Sequence, residues 1–273
     1  MPPTPLTQSQ RKALIDTSLA LLVQEQPEAQ RLLDILSASV PGRRRLALRA
    51  LLAMRPAIPL PPELSCSLER LLAAEAAERD TVDARDLPGT SLDPRLSLWR
   101  GDITTIRADA IVNAANSAML GCFQPLHACI DNAIHSAAGP GLRQECADIM
   151  AARGRPEPTG TATVTGGYHL PAARVIHTVG PIVQREPTTE HEALLASSYR
   201  SCLLAAEDVQ ASSIALCCIS TGVFGYPKTE AAVIAVRTVR EVLPHCQSLT
   251  KVVFNAFDPI DESIYRGLLG PDR

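Results

Sequence analysis

The sequence predicts an α/β fold, a sheet layered with helices, preceded by a small all-helical region. Three observations carry that expectation. Over residues 1–88 the apolar side chains recur only at helical spacing. From about residue 96 onward, short and nearly continuous apolar runs appear. Helical patterns lie between those runs, and strands alternating with helices build a layered α/β sheet.

In the first region, Leu14, Ile15, Leu19, Leu22 and Val23 mark one apolar face, and Leu32, Leu33, Ile35 and Leu36 a second. Pro41-Gly42 punctuates the chain. Leu46, Leu48, Leu51, Leu52 and Met54 continue a third face, which the proline-rich stretch 56–62 ends. Residues 63–79, rich in Ala, Leu, Glu and Arg, predict a fourth helix. Acidic and basic residues balance here, and no chemistry-bearing cluster is visible. Packing or contact with a partner is the expected role of this extension, residues 1–88. The stretch DTVDARDLPGTSLDPR, residues 80–95, reads as a polar linker into a second domain, residues 89–273.

In the second domain, strands are expected at 96–99, 110–113, 161–165, 174–179, 213–219 and 251–256. Their near-continuous apolar character fits strands covered on both faces. Helices are expected at 130–138, 141–152, 190–206, 229–243 and 260–269. Ligands of such sheets bind in loops beyond the carboxyl ends of strands.

Bulk properties narrow the function. The 273 residues are 46 % apolar with a formal net charge of −3, so the chain carries no electrostatic footprint for nucleic acid or anionic membrane. Arg43, Arg44 and Arg45 form the one basic run and read as a solvated helix face. No apolar run reaches the ~18 to 20 residues of a membrane helix. MPPTPLTQSQRK lacks the apolar stretch of a secretory signal. Eight cysteines without such a signal point to free thiols in a reducing, cytoplasmic compartment.

Three loops follow three of the expected strands: Arg100 to Thr104, Asn113 to Asn116, and Ser220 to Pro227. The third has the makings of a phosphate cradle. Gly222 and Gly225 permit positive φ and close backbone approach. Successive N–H groups can form an anion nest, and the helix that follows adds its dipole. Phe224 and Tyr226 offer faces for a ribose or base. An ordinary strand-to-helix turn is the alternative, since the loop matches neither GxGxxG nor GxxxxGK[ST].

Taken together, RGDITTIRADAIVNAAN, DNAIHSAAG, TGTATVTGGYHLPAARVIHTVGP and ALCCISTGVFGYPKTEAAVIAV, in that order, resemble the macrodomain family. The resemblance runs from about Leu96 to Leu269. It implies a three-layer α/β/α sandwich with a mixed central sheet that binds ADP-ribose. It places Asp102 and the Ile103 amide at the adenine, with Asn255 and Phe257 bordering the adenosine. Ser220, Thr221, Gly222, Val223, Phe224, Gly225 and Tyr226 would wrap the diphosphate, Phe224 lying against the distal ribose. Asn116, Ile130 and Asp131 would face that ribose, Asn116 and Asp131 as the catalytic pair. N-capping is the plainer reading of Asp102 and Asp131.

Hydrolytic macrodomains carry glycines between NAAN and the ribose-side helix. Here stands GCFQPLHAC, with Cys122, His127 and Cys129 spaced Cys-x4-His-x-Cys. Two thiolates and an imidazole suit zinc, and three ligands leave a fourth position open. The replacement resembles the zinc-containing branch of the family, which often has a helical N-terminal extension. The alternative is that both cysteines are small buried residues. His135 is a possible fourth ligand whose expected role is packing. Cys217 and Cys218 read as buried strand residues, and Cys66, Cys146, Cys202 and Cys246 show no partner pattern. His177 is given no catalytic role.

The implied activity is zinc-dependent hydrolysis of a mono-ADP-ribosyl group from a protein side chain. A non-catalytic ADP-ribose reader and an O-acetyl-ADP-ribose deacetylase are the alternatives. Bacterial members of the zinc branch are associated with a sirtuin-type transferase and a lipoyl-carrier protein, partners this resemblance would extend here. The N-terminal helices are then a candidate docking element.

Overall fold

The computed structural model describes residues 5–26, 29–37 and 43–272. Helix α1 (Gln8–Glu25) starts at a capping box, in which the Thr7 hydroxyl accepts from the Gln10 amide and the Gln10 side chain accepts from the Thr7 amide. Helices α2 (Ala29–Ser37), α3 (Arg43–Met54) and α4 (Pro62–Ala77) follow. The expected break at Pro41-Gly42 lies outside the described residues. Leu19, Leu22, Leu48, Leu51, Leu64, Leu68 and Leu71 close a core separate from that of the second half. Burying each such side chain is worth about 1.5–3 kcal/mol. The basic run keeps solvent exposure, most at Arg44, but two of its residues are also ion-paired. Arg45 makes a two-pronged pair with Glu75 at 2.7 and 2.8 Å, and Arg44 Nε lies 2.6 Å from Asp16. Two of its three arginines therefore tie helices together.

Residues 80–95 are a packed connection rather than a loose linker. Strand β1 (Val82–Asp83) pairs in parallel with β3 (Ile106–Arg107), and Ala84 and Thr90 are buried.

The main sheet has six strands: β2 (Leu96–Arg100), β4 (Ala110–Ala114), β5 (Ala162–Gly166), β6 (Arg174–Thr178), β7 (Ser213–Leu216) and β8 (Lys251–Ala256), in the order β2-β8-β7-β4-β6-β5. All neighbours are parallel except β5 and β6, so the sheet is mixed. Every residue of β7 is buried, as a strand covered on both faces requires. Helices α7 (Thr189–Asp208), α8 (Lys228–Val242) and α9 (Pro259–Leu269) pack side by side. Helices α5 (Ile130–Ala138) and α6 (Pro140–Arg153) pack together, against β4 and β5 respectively. Among the described residues, no helix is long and apolar enough to cross a membrane.

The strand expected over 213–219 stops at Leu216. Cys217 and Ile219 are buried in the same core, so their apolar character reflects a buried turn. Cys218, just past the strand, is only partly buried. The turn is held from α7: the Tyr199 hydroxyl accepts from the Ile219 amide at 3.1 Å and donates to Cys217 O at 3.2 Å. Tyr199→Phe removes both bonds in a fully buried site. It should lower unfolding free energy by about 1–3 kcal/mol, measurable as a reduced urea midpoint with an unchanged slope.

Candidate active site

Strands β2, β8, β7 and β4 are neighbours and parallel, so their carboxyl ends share one edge of the sheet. The loops after them form the site. At one end, the Asn255 amide donates to Gly101 O at 3.0 Å and Trp99 O at 3.4 Å, tying β8 to the loop after β2. Asn255 is buried and holds the loop, while Phe257 stands 77 % exposed beyond it. Asp102 is an N-cap: its Oδ1 accepts from the Thr104 amide at 2.9 Å and the Thr104 hydroxyl at 2.8 Å. That capping fixes the turn in which the Ile103 amide has no protein acceptor among the described residues.

At the other end lies Asp131, 95 % shielded from solvent in the first turn of α5. It is not the N-cap. That position is Cys129, whose Sγ accepts from the Asn132 amide at 3.4 Å. The Asp131 carboxyl instead faces two asparagine side chains. Asn113 Nδ2 donates to Oδ1 at 2.8 Å, and Asn116 Nδ2 to Oδ2 at 3.3 Å. Burial pushes the Asp131 carboxyl up to about 6, against the pull of the Asn113 amide, the Arg143 guanidinium and the Asn116 amide. Asn113 Nδ2 also reaches His177 Nδ1 at 3.1 Å. An amide nitrogen only donates, so His177 Nδ1 accepts and the ring proton sits on Nε2, 2.9 Å from Thr165 Oγ1. His177 and His135 are buried, and burial holds both neutral. The 3.5 Å approach of His135 Nε2 to Asp131 is therefore a neutral ring beside a carboxyl, not an ion pair. His135 gathers with Cys146 and His177 in the core, not with the Cys–His–Cys loop, so it is not that loop's fourth donor.

Between Asn116 and α5 runs that loop. Gly121 O accepts from Asn116 Nδ2 at 3.1 Å. Gly121 has φ 78°, and a Cβ there would lie 2.9 Å from the His135 ring, so glycine is required twice over. The donor atoms of Cys122, His127 and Cys129 all lie within 4.8 Å of one another. Cys122 Sγ is 3.6 Å from His127 Nδ1. Tetrahedral zinc with Zn–S ~2.3 Å and Zn–N ~2.0 Å would set sulfur and nitrogen about 3.5 Å apart. The donor set and its spacing fit that ion. Burial pushes the Cys129 thiol up to about 11, reinforced by the nearby Cys122.

The third loop keeps the expected backbone character with different residues providing it. Gly225 has φ 71°, but Gly222 does not enter the left-handed region; Ser220 does, at φ 67°. The amides of Thr221, Gly225 and Tyr226 are used inside the loop. Those of Gly222, Val223 and Phe224 have no protein acceptor among the described residues, leaving three consecutive N–H groups for an anion. Val223 is exposed and Phe224 half-buried, but the Tyr226 ring is buried in the core and offers no face to a ligand. Half-buried Ile130 opens α5 beside Asp131.

The protein most useful for comparison is a protein-ADP-ribose hydrolase of Staphylococcus aureus (strain MRSA252), 45 % identical over 225 residues, covering 82 % of this chain and 84 % of the relative. The Macro domain profile matches residues 112–235. The chain belongs to the macrodomain family. A protein-ADP-ribose hydrolase of Treponema medium is 54 % identical over 172 residues, 63 % of this chain and 66 % of that one. A Trypanosoma brucei macrodomain in complex with ADP-ribose superposes with a TM-score of 0.61 at 31 % identity, over 90 % of this chain and 96 % of the other.

This macrodomain's site also includes residues that sequence reasoning gave no role. Asn113 was legible only as a polar residue at the end of an apolar strand. Asn132 was hidden beside Asp131. Gly121→Ala forces a side chain into a left-handed backbone against His135. It should cost about 1–3 kcal/mol of stability, read by thermal or chemical denaturation.

Proposed function

We propose that this macrodomain is a mono-ADP-ribosyl hydrolase, releasing ADP-ribose from modified protein side chains, and that Cys122, His127 and Cys129 hold a zinc ion. The observation that carries this reading is the placement of Asp131. Its carboxyl is buried, fixed by two amides, and two residues from Cys129 at the start of one helix. The names of the S. aureus and T. medium relatives support the same reaction.

ADP-ribose would lie along the carboxyl edge of the sheet. The adenine meets Asp102 and the Ile103 amide, with Asn255 and Phe257 bordering it. The diphosphate takes the free amides of Gly222, Val223 and Phe224. The distal ribose rests by Asn116, Ile130 and the Phe224 ring. Hydrolysis adds water across the bond between ribose and side chain. One bond from the water oxygen forms, the bond to the leaving group breaks, and a water proton passes to the leaving group. Asp131 orients that water by accepting its hydrogen bond. Asn113 and Asn116 keep the carboxyl aimed, so the group need not reorganise as charge develops. The amide loop holds the diphosphate and thereby fixes the ribose against Asp131. Zinc, when bound, supplies a Lewis-acidic position for an oxygen ligand.

The test is release of ADP-ribose from defined Asp-, Glu-, Ser- and Arg-linked substrates. Asp131→Asn keeps the shape and should cut turnover at least ~100-fold while retaining binding of free ADP-ribose by titration. Cys129→Ala should abolish both turnover and bound zinc, which elemental analysis should find near one ion per parent chain. Full turnover in both variants overturns the mechanism.

A further inference from the structure

Asn132 is buried and touches the Cys–His–Cys loop at three places. Its Nδ2 donates to Gln124 O and to His127 O, each at 3.1 Å, and its backbone amide donates to Cys129 Sγ at 3.4 Å. Between the two carbonyls lies Leu126, whose φ of 60° is left-handed. That conformation is disfavoured for a residue with a Cβ and persists only when its surroundings hold it. The Asn132 amide pins the chain on both sides of it, and His127 is the next residue.

Asn132 is itself held from outside the second domain. Its Oδ1 accepts from the Ser136 hydroxyl at 3.0 Å, and Ser136 Oγ accepts from Arg49 Nε at 3.1 Å. Arg49 belongs to α3 of the helical region. A second route ends on the same helix. The Phe123 ring lies 4.6 Å from the guanidinium carbon of Arg143. Arg143 Nη1 donates to Leu52 O, Ala53 O and Arg55 O at 2.9, 3.0 and 2.6 Å. The loop is thus gripped at Phe123 and at three sites from Asn132, and both grips lead to α3.

We infer that α3 is a positioning element for the metal ligands: the Arg49–Ser136–Asn132 relay and the Arg143–Phe123 stack hold Cys122, His127 and Cys129 in their binding arrangement. This rests on the zinc reading above. Outer residues that orient ligands commonly shift metal affinity by about 10–100-fold when altered, and here they include residues in a region that supplies no ligand. Removal of residues 1–88 would therefore disturb the metal loop as well as any docking surface.

The test uses the full zinc-loaded chain and times zinc release to a chromogenic chelator. Asn132→Asp keeps the size but sets an acceptor against two carbonyls, and should speed release about 10–100-fold. Arg49→Met keeps the length without the donor and should speed release by a smaller factor. Arg49→Lys, which restores a donor, should recover most of it. In the Asn132→Asp background, Arg49→Met should add nothing, the coupling expected of one relay. The cobalt-substituted Arg49→Met chain should show an altered d–d spectrum, which general loosening of the fold distant from the loop would not produce. If the parent holds one zinc and Arg49→Met releases it at the parental rate with an unchanged cobalt spectrum, or the two substitutions act independently, the inference is overturned. A parent chain without zinc would instead remove the reading on which it stands.

Discussion

One side-chain amide organises the Asp131 end of the candidate site. Asn113 sits at the end of an interior strand and donates one N–H to Asp131 and the other to His177. A buried carboxyl without such donors would be strongly disfavoured in its charged form. The amide both relieves that cost and fixes the direction in which the remaining lone pairs point. Because Asn113 is part of the sheet, Asp131 is aimed from an interior strand as well as from Asn116 in the loop. His177 continues the same network to Thr165 on the antiparallel edge, so three strands and one helix share a single polar arrangement. Its burial explains why the two histidines are neutral.

Cys129 joins that arrangement to the Cys–His–Cys loop. As N-cap of α5 its sulfur accepts the helix's Asn132 amide, and as a thiol it completes the Cys–His–Cys set. A sulfur is a weaker cap than the oxygen of Ser or Asp. The loop thus gives up some helix-end stabilisation for a donor that suits a soft cation. Burial favours the protonated thiol, and a bound dication would reverse that preference. One residue, Cys129, thus caps the helix and belongs to the donor set, two positions before Asp131.

Much of this was legible because it is local. The helices of the second half follow from apolar periodicity, and Cys-x4-His-x-Cys announces a donor set by its spacing alone. What was misread has a common cause: burial by tertiary packing looks like a property of the segment itself. Cys217 and Ile219 are apolar because Tyr199 and the core surround a turn, not because the strand continues. Tyr226 seemed available because aromatic residues in glycine loops often face ligands, yet its ring completes the core. The left-handed backbone fell on Ser220 rather than Gly222, a choice set by the Tyr226 amide returning to Ser220 O. The ion pairs of Arg44 and Arg45 were not legible because Asp16 and Glu75 lie on other helices. Asn113 and Arg143 escaped notice because each acts on partners far along the chain, and Asn132 because it stands beside Asp131.

Arg143 has a consequence for how the protein is made. The last carbonyls of α3 find their donor in α6, some ninety positions later. A chain grows from its amino end, so α3 and its bundle emerge from the ribosome with that terminus still open to water. Those carbonyls gain this donor only when Arg143 arrives. The first half of the molecule is, in order of synthesis, completed by the second.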